Sequence, residues 1–382
     1  MIKTRKFKKK KFNKLSRRAK KYKRRLAKRT RQKYSKREKR RWRSRKMRGG
    51  KAVAAGSVGC IFKPAFKCSR RDDDDDYDAF VSKLMIKSEA DKEIKEVEAI
   101  ADVLAEVGEQ YFIIARDKDK CNLDYSLNEK DLVDMNSKEV CKNIFAKADM
   151  WEKFSLLNMP YGGINLQKWL ETTDVGGMLS REKFIEINEK LICLLKNAII
   201  PMNEKGVLHL DLKPQNLVYD ESIVRIIDWG YARNFNRDNI ISNETIPEMY
   251  TDKLYYGVPF GFLIFYPEIF TKEMRKYDFK YLTDLHEYLG KDDDKLNNII
   301  NEYLDAIRAK YEPEESYKYF NDVFSKNADI WGVIHIYLCM YSLILDPDIK
   351  VHIEKLVQKY ILNSEWATKP YDLEEIIGDL SF

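Results

Sequence analysis

The sequence predicts an α+β fold in which a small, β-rich lobe precedes a larger, helical lobe. Short apolar segments with strand character occur before residue 160, and longer apolar segments with helical spacing follow at 181–206 and 333–345. A basic arm, either helical or disordered, lies ahead of both lobes. We therefore place the arm at 1–50, the first lobe at 51–160 and the second lobe at 161–382.

The arm carries most of the charge asymmetry of the chain. Residues 1–50 hold 28 Lys or Arg and one acidic residue, Glu38, for a charge of +27, whereas the other residues hold 42 basic and 60 acidic side chains, for −18. A thin apolar stripe from Phe12 to Leu26 has helical spacing, but repulsion between so many cations opposes a helix. We expect residues 1–48 to bind nucleic acid or another polyanion through phosphates, without sequence readout. A solvated, non-specific tail is the alternative.

One segment of the second lobe combines groups that suit phosphoryl transfer. Asp211 can orient a hydroxyl nucleophile, and Lys213 can neutralise charge on the moving phosphate. Asn216 follows five residues after Asp211, and Asp228 follows twelve residues after Asn216; both offer the hard oxygen ligands that Mg²⁺ prefers.

The segment from His209 to Asn216, followed by Asp228-Trp229-Gly230, resembles the H-R-D-L-x-x-x-N catalytic loop and D-F-G motif of the eukaryotic-type protein kinase superfamily. The resemblance implies a bilobal protein kinase fold, ATP and Mg²⁺ as cofactors, and a protein substrate with a Ser or Thr acceptor. Lys213 follows the serine/threonine pattern. His209 is expected to pack and hydrogen-bond rather than to catalyse.

A glycine-containing segment between the first two strands resembles the kinase phosphate loop, with Ala54 where the first Gly usually stands. Backbone N–H groups can approach phosphates closely where no Cβ intervenes. The residues predicted to contact the nucleotide in this loop are Ala54, Gly56, Ser57, Val58, Gly59 and Ile61.

Lys83 lies in the middle of a predicted strand, 79–85, and by resemblance binds the α/β-phosphates of ATP. A helix predicted over about 88–107 carries two acidic residues one turn apart, and either could pair with Lys83. Glu93 is preferred because Val97 and Ile100 follow at the usual offsets, and Glu96 remains an alternative.

The segment Leu156–Gly163 resembles the hinge between the lobes. Leu157 would lie at the back of the adenine pocket, and backbone groups near Asn158 and Met159 would bind the adenine edge. Pro160 lacks an N–H, which limits the available donors. A strand is predicted at 110–115, followed by a polar insertion at about 116–150 without an assigned role.

Leu210 replaces the Arg with which many kinases bind an activation-loop phosphate, so we expect activity that does not depend on phosphorylation of that loop. The activation segment would cover 231–266, with Glu268 matching the motif that closes it. Asp329 is expected to brace the catalytic loop.

The six cysteines form no C-x-x-C pair and are expected to be free thiols in a reducing compartment. No apolar segment follows the basic N-terminus as in a signal peptide, and the longest apolar segment is too short to span a bilayer. We therefore expect an intracellular protein, in the cytoplasm or, given the basic arm, the nucleus.

Residues 56–64, 81–84, 258–260 and 329–335 most resemble the divergent serine/threonine kinases of nucleocytoplasmic large DNA viruses. This implies a virus-encoded enzyme in host cytoplasm or virion. Two other interpretations stand beside it. One is a catalytically weak kinase-fold protein that binds nucleic acid or acts as a scaffold, and the other is a small-molecule kinase.

Overall fold

The computed structural model describes residues 51–55, 59–68, 77–123, 141, 151–172, 178–235, 257–266, 270 and 282–381. The basic arm therefore lies outside the described residues. The same holds for Gly56, Ser57 and Val58, for most of the predicted insertion, and for Glu268 with much of the activation segment.

The N-terminal lobe is built on one antiparallel sheet of strand order β1-β2-β3-β5-β4. β3 is the central strand, and its residues Val81–Met85 are buried. β3 pairs with β5 over its whole length, from Phe80 opposite Pro160 to Ile86 opposite Phe154. The strands are β1 (Lys51–Ala55), β2 (Gly59–Lys63), β3 (Phe80–Ile86), β4 (Lys120–Asn122) and β5 (Phe154–Pro160).

Two local predictions for this lobe are wrong. The single helix predicted over 88–107 is two helices, α1 (Lys87–Glu98) and α2 (Ala101–Gly108), because the chain turns at Ala99–Ile100. The strand predicted at 110–115 is a 3₁₀ turn, Glu109–Tyr111, followed by a non-strand segment with one bridge from Phe112 to Ile226. The fourth strand of the sheet, β4, instead comes from the start of the predicted insertion.

The expectation of six free thiols is also wrong. Cys60 is disulfide-bonded to Cys141, and Cys68 to Cys121. The partners are 81 and 53 residues apart, so their spacing in the sequence carries no signal. Cys193 and Cys339 are free. The argument for a reducing compartment therefore loses its basis.

The C-terminal lobe is helical, as predicted. Its helices are α3 (Leu166–Thr172), α4 (Arg181–Leu194), α5 (Ile200–Glu204), α6 (Thr283–Tyr288), α7 (Asp293–Arg308), α8 (Ser316–Tyr319), α9 (Ser325–Tyr341), α10 (Pro347–Leu356) and α11 (Leu373–Leu380). A π-helical turn at 195–199 joins α4 to α5, which gives the continuous helical segment predicted over 181–206.

Two of these helices illustrate how the sequence specifies the lobe. α7 begins where the Asp292 side chain accepts the Lys295 N–H (2.9 Å), and its buried residues recur at helical spacing from Leu296 to Ile307. α9 is buried almost all round, as its apolar sequence requires, and forms the centre of the core.

Short strands lie between residues 164 and 234, around the predicted catalytic loop. β6 (Ile164–Asn165), β8 (Leu217–Tyr219) and β9 (Val224–Ile226) form a three-stranded sheet in the order β6-β8-β9, and β7 (Val207–Leu208) pairs with β10 (Arg233–Asn234). The β8–β9 hairpin is the predicted one. The predicted α+β architecture, with a β-sheet N-lobe and a helical C-lobe, is confirmed. Among the described residues, no helix combines the length and apolarity needed to cross a bilayer.

Candidate active site

Lys83 stands in β3 and points its ammonium at α1. Its Nζ lies 2.5 Å from Glu93 Oε2, and both side chains are almost wholly buried. Gly59 on β2 leaves room for the lysine stem, since a Cβ there would lie 3.2 Å from Lys83 Cε and Cγ. The β-sheet therefore holds this ammonium in one position beside a buried carboxylate.

Glu96, the alternative partner, faces elsewhere. Its Oε1 lies 3.4 Å from Arg233 Nη2, on the segment that follows the catalytic loop. Burial raises the pKa of Glu96, although Arg233 opposes the shift. The two glutamates thus serve different partners, and Lys83 pairs with Glu93.

The predicted catalytic loop is held by its own side chains. Asp211 is 2% exposed, and both of its carboxylate oxygens are engaged. Lys213 Nζ lies 2.9 Å from Oδ1, and Asn216 Nδ2 donates to Oδ2 at 2.6 Å. Asn216 Nδ2 also donates to the Asp211 carbonyl (2.9 Å), which leaves its Oδ1 as the atom that can face a cation.

Asp228 lies across the β8–β9 hairpin from Asn216. The neighbouring Ile227 N–H donates to the Asn216 carbonyl at 2.9 Å, so the hairpin holds the ends of both segments together. Asp228 has a positive φ of 63°, a half-exposed side chain and an Oδ1 that lies 3.6 Å from Lys83 Nζ. Lys83 therefore connects the N-lobe sheet to the segment that carries Asp228.

Asp329 of α9 holds the backbone at the start of the catalytic loop. Its carboxylate accepts the N–H groups of His209 and Leu210, each at 2.8 Å, and the Nδ2 of Asn203 at 2.7 Å. Burial raises the pKa of Asp329, and these hydrogen bonds oppose the shift. The expectation that Asp329 braces the loop is confirmed. Asn203 was not predicted, because nothing in its local sequence indicates a contact 126 residues away.

Gly332, one turn after Asp329, allows α9 to approach this loop. A Cβ at Gly332 would lie 2.9 Å from both the carbonyl oxygen and the Cβ of Leu212. Contacts below 3.0 Å with backbone atoms require the backbone to move. The missing side chain therefore sets the distance between the core helix and the residue that follows Asp211.

His209 and Trp229 pack on the inner side of the site. His209 Nε2 lies 3.1 Å from the Ile227 carbonyl, and its ring meets Trp229 edge-on. Trp229 Nε1 donates to the Ile113 carbonyl at 3.0 Å. The Trp in place of the usual Phe thus binds the Asp228 segment to the irregular segment after α2, and His209 has the packing role that was expected.

The hinge residues divide their backbone groups between two sides. Tyr161 N–H donates to the Ala79 carbonyl (2.9 Å), and hydrogen-bonded pairs alternate in an antiparallel ladder, so the Met159 backbone groups face Val81. The Asn158 carbonyl points away from β3, on the edge that β4 pairs as far as Leu157, and the residue is fully buried, with its side chain against Ser82 Oγ (2.6 Å). Of the two residues predicted to bind a base, Met159 is partly exposed and Asn158 is fully buried.

The described part of the phosphate loop flanks Lys83. Ala54 pairs with Ile61 across β1 and β2, and Ile61 in turn pairs with Lys83. Ala54 is exposed and Gly59 is buried. The described residues Ala54, Gly59 and Ile61 therefore lie on the two strands beside the strand of Lys83.

Part of the chain is similar to known proteins. Residues 112–252 match the model of the protein kinase domain. A probable serine/threonine-protein kinase of Dictyostelium discoideum is 31% identical over 93 residues, which are 21% of this chain and 13% of that protein. Myosin light chain kinase family member 4 of Homo sapiens is 32% identical over 131 residues, which are 33% of this chain and 30% of that protein.

Myosin light chain kinase 2, skeletal/cardiac muscle, of Rattus norvegicus is 28% identical over 152 residues, which are 34% of this chain and 22% of that protein. The chain thus spans less than a third of the length of each of these relatives. The matched segment contains the catalytic loop and Asp228, and it begins after Lys83 and Glu93.

Proposed function

We propose that the chain is a serine/threonine protein kinase that uses ATP and Mg²⁺, and the match of residues 112–252 to the protein kinase domain supports this. The observation that carries the proposal is that two carboxylates from different lobes meet at one ammonium. Lys83 Nζ lies 2.5 Å from Glu93 in the N-lobe and 3.6 Å from Asp228 in the C-lobe. A cation held in this way at a cleft suits the binding of a polyphosphate.

In this proposal Lys83 binds the α/β-phosphates and Glu93 orients it. Asp211 orients the acceptor hydroxyl and accepts its proton, while Lys213, 2.9 Å from Asp211, neutralises charge on the transferred group. Catalysis then consists of positioning and electrostatic stabilisation by groups that are already fixed before the substrate arrives.

Asn216 and Asp228 would hold the magnesium ion. Their donor set fits a hard cation: one amide oxygen left open by the Asp211 hydrogen bonds, and one half-exposed carboxylate at the cleft. Bound there, Mg²⁺ would supply positive charge to the phosphates of the nucleotide. The remaining nucleotide contacts are assigned to the loop from Ala54 to Ile61 and to the hinge at Asn158 and Met159.

We assign the acceptor to Ser or Thr because Lys213 follows Asp211 by two residues, as in serine/threonine kinases. The names of the relatives support this assignment, although they cover only part of the chain. A virus-encoded enzyme, present in host cytoplasm or virion, remains part of the proposal on the strength of the motif resemblance at 56–64 and 329–335.

The arm is the second component of the proposal. Its charge of +27 over residues 1–50 far exceeds that of an ordinary solvated surface, and we assign polyanion binding to residues 1–48. A protein that mainly binds nucleic acid on a catalytically weak kinase fold is the competing function, favoured by the same arm.

The variant Asp211→Asn tests the enzymatic role. It keeps the size of the side chain but removes the proton acceptor, so we expect turnover to fall by about 10²–10⁴-fold while ATP affinity stays unchanged. Phosphate transfer and nucleotide binding are measured on the same preparation. Substantial turnover by the variant would refute the assignment, and absence of turnover by the wild-type protein would favour the nucleic-acid-binding alternative.

A further inference from the structure

Three side chains of different chemistry meet in the C-lobe, away from the cleft. Asp284 lies in the first turn of α6, and His335 and Cys339 lie one turn apart on α9. One ligand atom from each residue lies within 4.8 Å of the other two. The proposed phosphoryl transfer uses none of them.

The separations suit a small coordination sphere. Cys339 Sγ lies 3.2 Å from Asp284 Oδ2 and 3.5 Å from His335 Nδ1. Ligands of a tetrahedral zinc ion, with Zn–S of about 2.3 Å and Zn–N or Zn–O of about 2.1 Å, are separated by about 3.5 Å. These two separations are close to the edges of such a tetrahedron.

The donor set selects the kind of metal. Thiolate and imidazole favour zinc and other borderline or soft cations, whereas Mg²⁺ and Ca²⁺ prefer oxygen ligands alone. Spacing of four residues places His335 and Cys339 on the same face of one helix, and the carboxylate comes from a second helix. Such a site resembles the three-ligand type that leaves the fourth position to water.

We propose that Asp284, His335 and Cys339 bind a zinc ion that fastens α6 to α9. Access is available because Asp284 is exposed and Cys339 is partly buried, while His335 is 3% exposed and fixed by the core. Binding replaces the thiol proton that Cys339 donates to Asp284, and that proton leaves to solvent. Because α9 also carries Asp329 and Gly332, the ion stabilises the helix that supports the catalytic loop.

Cobalt(II) titration of the full-length protein tests the site, because a thiolate–cobalt bond gives a charge-transfer absorption that oxygen ligands do not. Excess Mg²⁺ occupies the oxygen site at Asn216 and Asp228, and thiol reductants are omitted. We expect one equivalent of Co²⁺ to produce the band in the wild-type protein and in Cys193→Ser, the matched control at the other free cysteine. Zn²⁺ should abolish the band, and Cys339→Ser should never show it.

Asp284→Asn provides a second variant on an exposed residue, so that folding is not at risk. Loss of an outer-shell partner costs about 10–100-fold in metal affinity, and loss of this ligand should weaken Co²⁺ binding at least tenfold. Zn²⁺ should raise the melting temperature of the wild-type protein and of Cys193→Ser but not that of Cys339→Ser. The proposal is overturned if the band persists in Cys339→Ser or if the wild-type protein shows no band. The three side chains would then only form hydrogen bonds with one another.

Discussion

Lys83 and Glu93 form a buried ion pair, with Nζ and Oε2 separated by 2.5 Å. Burial alone would lower the pKa of the Lys83 ammonium, but the carboxylates of Glu93 and Asp228 outweigh it and raise the pKa above its ordinary value. The lysine is therefore protonated throughout the neutral range. Its charge, and with it phosphate binding, should not change between about pH 6 and pH 9.

Removing Glu93 should make activity depend on pH. Burial lowers the pKa of Lys83, and in Glu93→Gln only the Asp228 carboxylate at 3.6 Å opposes that effect. The pKa of Lys83 should therefore fall. The ammonium is then lost as the pH rises through the lowered pKa. We expect kcat/KM of this variant, relative to the wild-type protein, to decline as the pH is raised.

Glu96→Gln is the matched control, because it removes an acidic residue from the same helix but from the pair with Arg233. Its ratio to the wild-type kcat/KM should not decline with pH. Equal pH dependence in both variants would contradict the assignment of Glu93 as the partner of Lys83.

Gly332→Ala should damage the site through packing alone. The added Cβ would meet the Leu212 carbonyl oxygen at 2.9 Å, so α9 or the catalytic loop must shift. Overpacking of this kind costs about 1–3 kcal/mol, and the displacement of Leu212 should lower kcat as well. Denaturant unfolding and steady-state kinetics measure the two effects.

Gly378→Ala serves as its control, because nothing lies within 4 Å of a Cβ at Gly378 in α11. Alanine is favoured over glycine in a helix by about 1 kcal/mol, so this variant should be as stable as the wild-type protein or more so. Similar losses in both variants would show that the approach of α9 to Leu212 has no special importance.

Leu210 predicts independence from activation-loop phosphorylation. Its side chain is fully buried and its N–H donates to Asp329, so this position offers no cation to a phosphate group. Protein treated with a phosphatase should retain its full kcat/KM on the same substrate. Loss of activity after treatment, regained on rephosphorylation, would contradict the prediction.

Pro160 predicts an unusual preference among nucleotides. By the alternation of the β3–β5 ladder, the backbone of Pro160 points away from β3, and the residue is exposed, yet proline has no N–H to donate there. Pro160→Ala restores a donor, which adenine N1 can accept. We expect the KM for ATP to fall by about 3–10-fold, as one hydrogen bond of about 0.5–1.5 kcal/mol implies.

GTP provides the internal control for this variant. Guanine carries an N–H at position 1, which cannot accept from a new donor, so the KM for GTP should stay constant or rise. A parallel fall for both nucleotides would indicate a change in hinge flexibility instead of a new hydrogen bond.

The sequence predicted those parts of the site that lie within short contiguous segments. The spacing of Asp211, Lys213 and Asn216 places all three in one loop, and the structure joins them by direct contacts. The choice between Glu93 and Glu96 depends on which face of α1 is turned toward Lys83. The spacing of apolar residues alone defines that orientation too coarsely to separate two residues one turn apart.

Contacts between residues that are far apart in sequence could not be predicted from local sequence patterns. Cys60 and Cys141 are 81 residues apart, so their pairing could not be inferred from neighbouring residues. β4 has three residues, too few for a recognisable alternation, and it took the place of the strand expected at 110–115. Asp284 and Cys339 are 55 residues apart in sequence, and their contact depends on the packing of α6 against α9.

The most direct test of the proposed function is transfer of label from γ-labelled ATP to protein acceptors by the purified full-length chain, followed by analysis of the labelled amino acids. We predict label on serine or threonine that requires Mg²⁺ and is lost in Asp211→Asn. Absence of label on any acceptor, or label that Asp211→Asn transfers equally well, would contradict the account.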